Sequence, residues 1–494
     1  MADDPNIVNL TRLTQIYPNA VTRKFLLRNI KYRNEIWNQG IHKWEEMYRH
    51  EKEHLIKTVF NGDGTKRNYY RETKYTKVTL YKTKKGDIKG GYFTEVTRSN
   101  VPSGRAVRDR IIDEEKVNEK KNIIYPSVVR NNTLLYDLDQ AYKAWFNPAR
   151  PDSGKPKLKK QITDNGSYLD TQAHIKDGRV YPTTAKSDPN RKRYQKGIKT
   201  REDISDLNSE NRQTIRFIHR DGKFYVAIAV KIPVKHLMPT GQVDGVDVIV
   251  DKFNSTAVTL DLTKQFMYDP KTNKYITADS HLFNLYKKIA HYQRVLANKR
   301  ECVKKHYKKR HQKIDKSKWQ TNNYNKTRLK LRRTYKRVYN IQHNIIQQYT
   351  AYLVKNHDDI YIERLDVKHM KMSHVASKGL HRSMFGYFRI VMEYKCKLFG
   401  RNLHEVDQFY PSTQQCPRCG MAKAGDEKIT LKGNKKHHTG HNEFRCNYCG
   451  YTADRDEKVP VSLFHYNDEQ MKDIKKAQRK GIDYQTLGIV YSKN

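Results

Sequence analysis

At 494 residues the chain is too long for one ordinary hydrophobic core, and two to four domains are expected. Its 97 Lys and Arg against 53 Asp and Glu give a formal charge of +44, spread along the whole length; such an excess repels itself unless a polyanion neutralises it, which implies nucleic acid as a partner. A membrane protein is not expected: residues 1–10, MADDPNIVNL, have no basic start or apolar run, nothing approaches spanning length, and no anchor accompanies an amphipathic basic helix, so a soluble, intracellular chain is the reading.

In chain order, NLTRLTQIYPN alternates as a strand that ends at a Pro-Asn turn. The stretch from Ala20 to Leu55 then sets Phe25, Leu26, Ile30, Ile36, Trp37, Ile41 and Trp44 near helical spacing, predicting one or two helices. Residues 61–100 are polar, are broken by Gly62, Gly64, Gly86, Gly90 and Gly91, and predict no particular element. SVVRNNTLLYDLDQAYKAWF predicts a helix with Leu135, Leu138, Tyr142 and Trp145 in one stripe; Asn147-Pro148 ends it, and a basic loop runs from Gly154 to Lys160.

From about Tyr168 the pattern turns to strands. TIRFIHRDGKFYVAIAV reads as a hairpin about Asp221-Gly222, and QVDGVDVIVDKFNSTAVTLD as two apolar strands joined by a short turn. Long basic helices are predicted over 282–310 and 325–355, where outer faces of Lys and Arg with almost no acids favour contact with phosphate over a merely solvated surface. A buried strand, DIYIERL, a helix, MFGYFRIVMEYKCKLF, and a strand, NLHEVDQFY, lead to the cysteines; the last thirty residues hold one weak helix.

Four of the six cysteines form two Cys-x-x-Cys knuckles, Cys416/Cys419 and Cys446/Cys449, with 26 residues between them. Two such turns facing each other close a tetrahedral zinc site of four thiolates. His437, His438 and His441 lie in the loop between, so a site in which one imidazole replaces a thiolate is the lesser alternative. Cys302 and Cys396 read as ordinary thiols of a reducing compartment.

Three acids stand in unusual surroundings. Asp247 in GVDVIV and Glu363 in IYIERL interrupt apolar strands, and Asp456 follows the second knuckle closely. Each alone reads as a strand-end acid facing solvent or an Arg. Together, converging from separate elements, they could hold two Mg²⁺ ions for phosphodiester hydrolysis, and their order of strand, long helices, second strand and late Asp is that of an RNase H-like nuclease core.

These segments resemble the TnpB nucleases of insertion sequences and the miniature type V CRISPR effectors, RNA-guided DNA endonucleases with a split RuvC domain. GVDVIVDKFNSTAVT is similar to the family's first RuvC stretch, IYIERLDVKHM to its second, and QFYPSTQQCPRCG with FRCNYCGYTADRD to its zinc ribbon and third stretch. YPSVVRNNTLLYDLDQAYKAWF with GKPKLKK, and QIYPNAVTRKFLL, resemble its N-terminal half. The resemblance implies an α+β multidomain protein. Its parts would be a first strand of a wedge-type β-barrel (1–18), an inserted helical recognition lobe (19–164), the rest of the barrel (165–240), an RNase H-like RuvC α/β domain (241–410), a zinc ribbon that binds target nucleic acid (411–453), and the RuvC C-terminal part with the tail (454–494).

It further implies a guide RNA and target DNA as partners, Zn²⁺ on the cysteines, and Mg²⁺ on Asp247, Glu363 and Asp456. Lys155, Lys157, Lys159 and Lys160 are the candidate nucleic-acid contacts, the location would be cytoplasmic and nucleoid-associated in a bacterium, and either a monomer or a homodimer is compatible. Two positions depart from the family pattern: Ile249 replaces the usual Gly two residues after the first Asp, and Lys458 the usual Asn after the third. They leave a nuclease-dead RNA-guided repressor as the rival reading; a DDE-type transposase fits less well because the ribbon stands between the second and third acids.

Overall fold

The computed structural model describes residues 6–53, 55–60, 66–70, 78–82, 88–93, 101–117, 125–147, 149–150, 153–159, 165–194, 196–207, 212–249, 252–262, 266–269, 271–278, 282–310, 321–365, 384–423, 425–430, 432–434, 438–479 and 489–490. The chain forms two compact units, one of residues 9–231 and one of residues 1–8 with 232–494. No helix among the described residues is long and apolar enough to cross a membrane.

In the first unit the opening alternation becomes β1 (Ile7–Tyr17), and a single helix follows, α1 (Ala20–Glu53). All seven apolar positions expected on its inner face are buried. Two small hairpins, β2 (Leu55–Phe60) with β3 (Lys66–Tyr70) and β4 (Val78–Lys82) with β5 (Ile88–Phe93), occupy the stretch that gave no sequence signal. Next come α2 (Gly104–Val117), α3 (Ser127–Asn132), a π-helical turn (Thr133–Leu138) and α4 (Asp139–Phe146). The expected stripe began at Leu135, but Leu134 is the fully buried residue there. The wide π turn fits one extra residue into the helix and shifts the phase of the inward face by one.

The remaining strands of this unit are β6 (Asn165–Asp170), β7 (His174–Lys176), β8 (Arg179–Tyr181), β9 (Ile198–Thr200), β10 (Arg212–Arg220) and β11 (Lys223–Pro233), with a short α5 (Arg191–Tyr194) between β8 and β9. They join β1 in one sheet in the order β6-β10-β11-β1-β9-β8-β7. The β10–β11 turn is the Asp221-Gly222 pair foreseen, with both residues at positive φ, +53° and +78°; such a pair matches the twist of the strands it joins.

The second unit is built on another seven-stranded sheet: β12 (Val243–Ile249), β13 (Lys252–Ser255), β14 (Thr259–Asp261), β15 (Phe266–Asp269), β16 (Lys274–Ala278), β17 (Asp359–Glu363) and β18 (Asn402–Val406), in the order β16-β15-β14-β13-β12-β17-β18. β12 to β16 pair antiparallel; β17 and β18 run parallel to β12. The crossover from β16 to β17 is the helical pair α6 (Leu282–Lys309) and α7 (Asn322–Asn356), whose buried stripe includes Leu285, Ile289, Val338, Ile345, Tyr349 and Leu353. A helix over Phe385–Phe399 returns the chain to β18.

Strand side chains alternate between faces, and here the two faces carry different cores. Val246, Val248, Ile360 and Ile362 pack with α6, α7 and the 385–399 helix. On the other face Tyr361 and Val406 meet Tyr410, Val459, Leu463 and Tyr466 in a smaller cluster. Asp247 and Glu363, one strand position from residues of the large core, therefore fall on the thinly covered face.

Candidate metal centres

In the parallel register Val246 lies beside Ile362, so the next residues, Asp247 and Glu363, stand level on neighbouring strands and point to the same face. Neighbouring strands are about 4.8 Å apart, which sets the two carboxyls side by side. Asp247 is 7% exposed, and burial pushes its carboxyl well above the usual carboxylate range; the charges of Glu363 and Asp456 push it further, while Lys458 and Arg455 oppose them. Burial raises Glu363 as well, offset in part by a 2.5 Å hydrogen bond from Ser412 Oγ. β12 holds a second acid, Asp244, three residues earlier and hence on the opposite face; it accepts hydrogen bonds from the Thr256 amide and hydroxyl and lies 3.8 Å from His357. It is a partnered core residue.

Asp456 arrives on a short helix, Arg455–Ser462, which begins where the second knuckle's strand ends. Asp454 caps this helix: its carboxylate accepts hydrogen bonds from the amides of Asp456 and Glu457. The two late aspartates thus divide their work, Asp454 holding the helix end and Asp456 free to face the strands. Arg455 donates to Asp456 Oδ1 from Nε and Nη2, at 3.1 and 3.0 Å. Glu363 and Asp456 are close enough for their charges to act on Asp247, but among the described residues only the four cysteines bring three or more ligand atoms within 4.8 Å of one another.

The helix can lie on β12 because of Gly245. A Cβ built there would stand 2.1 Å from the Pro460 carbonyl oxygen and 3.3 Å from Leu463 Cβ. Gly245→Ala is expected to cost about 1–3 kcal/mol in stability, the usual range for overpacking. Thermal melts of the purified variant check it, and a wild-type melting temperature would refute the contact.

The knuckles themselves are near copies. Cys416 and Cys446 begin them, and the amides of Gly420 and Gly450 close back on the Cys416 and Cys446 carbonyls at 2.9 and 3.1 Å. Both glycines have positive φ, +75° and +72°. The sulfurs pair as Cys416–Cys449 and Cys419–Cys446, each 3.6 Å apart. A tetrahedron of thiolates about 2.3 Å from zinc has edges of about 3.8 Å, whereas a disulfide would bring two sulfurs to about 2 Å; the set fits a metal. Burial pushes Cys416 up to about 12, while Cys449, with an amide hydrogen bond from Tyr451, is lowered to about 7. Metal binding would deprotonate all four. Neither His438 nor His441 belongs to the cluster, so the alternative with an imidazole ligand is not supported by either; His437 lies outside the described residues.

Lys458 is buried at 2% exposure, with Nζ donating to the carbonyls of Ser412 and Gln415 at 2.8 and 2.7 Å and lying 4.3 Å from the Phe444 ring centroid. Ile249 ends β12 opposite Lys252. In the other unit, Lys155 pairs with Glu45 at 2.6 Å, and Lys159 Nζ lies 4.1 Å from the Trp37 ring centroid, where burial and Arg33 lower it to about 8. Trp37 Nε1 donates to the Lys157 carbonyl, and Asn38 bonds both the amide and the carbonyl of Lys159. The basic loop is thus stapled to α1; Lys157 is exposed and Lys160 lies outside the described residues. Sequence reading passed over Gly245, Ser412 and Arg455. All three lie inside quoted motifs; nothing in the sequence marks Ser412 from its neighbours there.

Residues 385–458 match the family model "Cas12f1-like, TNB domain". This span begins at the 385–399 helix and ends at Lys458, enclosing both knuckles and Asp456. A Streptomyces pristinaespiralis protein named "Putative RNA-guided DNA endonuclease" is 26% identical over 134 residues, which is 27% of this chain and 30% of that relative; the match thus spans under a third of the relative's length. A solved structure titled "Cryo-EM structure of the Cas12f1-sgRNA-target DNA complex" aligns over 92% of this chain and 98% of its own at 10% identity with a TM-score of 0.28, a likeness that carries no argument.

Proposed function

We propose that this chain, which resembles the TnpB and Cas12f-like proteins, is an RNA-guided DNA endonuclease that cuts DNA by Mg²⁺-dependent hydrolysis in a RuvC-type site of Asp247, Glu363 and Asp456. The observation that carries this reading is the level placement of Asp247 and Glu363 on parallel strands, with Asp456 delivered to the same face by a helix that only Gly245 lets approach. The sheet order β14-β13-β12-β17-β18, three strands antiparallel and two parallel, supports an RNase H-like core. The same reading includes the domain boundaries expected above, Zn²⁺ on the four cysteines, and a guide RNA and target DNA on the basic surface, with base pairing supplying sequence specificity.

A buried Asp247 whose proton affinity is raised further by the charges of Glu363 and Asp456 favours a bound cation over three bare charges. Mg²⁺, when bound, would activate a water and stabilise the leaving oxygen of the scissile phosphate. Asp247 and Glu363 would supply ligands from rigid strands. Asp456 would supply a third from its capped helix, with Arg455 beside it to balance charge when the cation is absent. Lys458 is held by the Ser412 and Gln415 carbonyls, a structural commitment that gives a nuclease-dead reading no support.

The test uses the full chain purified with its co-expressed RNA. Mg²⁺-dependent cutting of DNA matched to that RNA is the expected result. Binding without cutting would favour the repressor, and RNA-independent end joining the transposase.

A further inference from the structure

Glu363 and Asp456 are joined by a continuous path that no metal is needed to form. Ser412 Oγ donates to Glu363 Oε1 at 2.5 Å, and the Ser412 carbonyl accepts from Lys458 Nζ at 2.8 Å. Lys458 lies one helical position beyond the residue following Asp456, and its second anchor is the Gln415 carbonyl, immediately before Cys416. Tyr410 OH reaches the Ser462 carbonyl at 3.1 Å, tying the far end of the same helix to the same segment. Residues 410–415 therefore grip one carboxylate by a hydroxyl and the helix of another by backbone carbonyls, just where the chain enters the first knuckle.

We propose that Ser412 and Lys458 are positioning residues for the carboxylate site: Ser412 fixes the rotamer of Glu363, Lys458 locks the Asp456 helix to the Ser412–Gln415 backbone, and together they set the separation of the two ligands. The inference rests on the reading of Asp247, Glu363 and Asp456 as a divalent-cation site. Residues that orient ligands typically change metal affinity 10–100-fold when removed. A buried amino group on three acceptors, one of them the Ser462 hydroxyl at 3.5 Å, is an expensive way to fasten a helix unless its placement matters.

The experiment titrates Mn²⁺ into the zinc-loaded full chain by calorimetry and follows DNA cleavage against Mg²⁺ concentration in parallel. Ser412→Ala is expected to weaken Mn²⁺ binding about 10-fold and to move the Mg²⁺ midpoint of cleavage upward by a similar factor, with the melting temperature little changed. Ser412→Thr, which keeps the hydroxyl, should restore both. Lys458→Met keeps the buried stem and should weaken Mn²⁺ as Ser412→Ala does. If it fails to fold, Ser412→Ala and its rescue decide alone. Wild-type Mn²⁺ affinity in Ser412→Ala, in a protein whose Asp247→Ala variant loses the ion, overturns the positioning role and leaves the site standing. Mn²⁺ binding that Asp247→Ala does not alter overturns both.

Discussion

Asp247→Asn is expected to abolish Mg²⁺-dependent cleavage and, in Mg²⁺-free buffer, to raise the melting temperature. On the reading proposed above, the loss follows from removing a direct ligand: several kcal/mol of transition-state stabilisation, roughly 4, is a factor of about 10³ in rate. The gain follows from electrostatics. Burial and the charges of Glu363 and Asp456 hold the Asp247 carboxyl well above its ordinary value. A group raised on folding gives its full stability below the unfolded pKa and loses it as pH rises through the folded one. At neutral pH the cation-free wild type therefore bears a cost that the neutral amide lacks. A rise of at least about 2 °C is expected, the shift that roughly 1 kcal/mol gives in a unit of this size. The difference should shrink as pH falls, because the wild-type acid then takes up its proton. Calorimetric scans between pH 5 and 8 measure it, with EDTA avoided because it would also strip zinc. A lower melting temperature for Asp247→Asn across that range would show that the acid is satisfied without a cation.

Cys446→Ser is expected to release zinc, unfold the segment between the knuckles and stop cleavage about as completely as loss of Asp456. The local core is too small to stand without metal: Cys416, Ile429, Phe444 and Cys446 are its buried members, and half of them belong to the four-cysteine cluster. Structural zinc supplies on the order of 10 kcal/mol in such modules. The damage should pass beyond the ribbon, because Phe444 lies against the Lys458 ammonium and Gln415, which anchors Lys458, precedes Cys416. Zinc content by atomic emission, proteolysis within residues 425–445 and the cleavage rate report the three steps. Wild-type cleavage by a zinc-free Cys446→Ser protein would separate the ribbon from the carboxylates.

Much of this was legible because its signals are local. The Asp221-Gly222 turn, the apolar stripe of α1 and both knuckles follow from residue type and spacing within a few positions. The acids were legible by contrast: a charge inside GVDVIV or IYIERL is costly enough to stand out. What sequence could not give were contacts between distant segments. Gly245 looks like any strand glycine until Pro460 is seen above it. Lys458 stood out only as a departure from the family pattern, whereas its amino group reaches carbonyls 43 and 46 positions earlier in the chain. The shift from Leu135 to Leu134 was hidden because a π turn leaves helical spacing intact on either side and alters only the phase.

The alternation of faces along β12 governs what the chain tolerates there. Deleting Val246 would turn the acid into the apolar layer beneath α7 and bring Val248 up in its place; deleting two residues of the strand before Asp247 would restore the facing but slide the acid past Glu363 by nearly 7 Å. Parity, then, constrains this strand more tightly than residue size does.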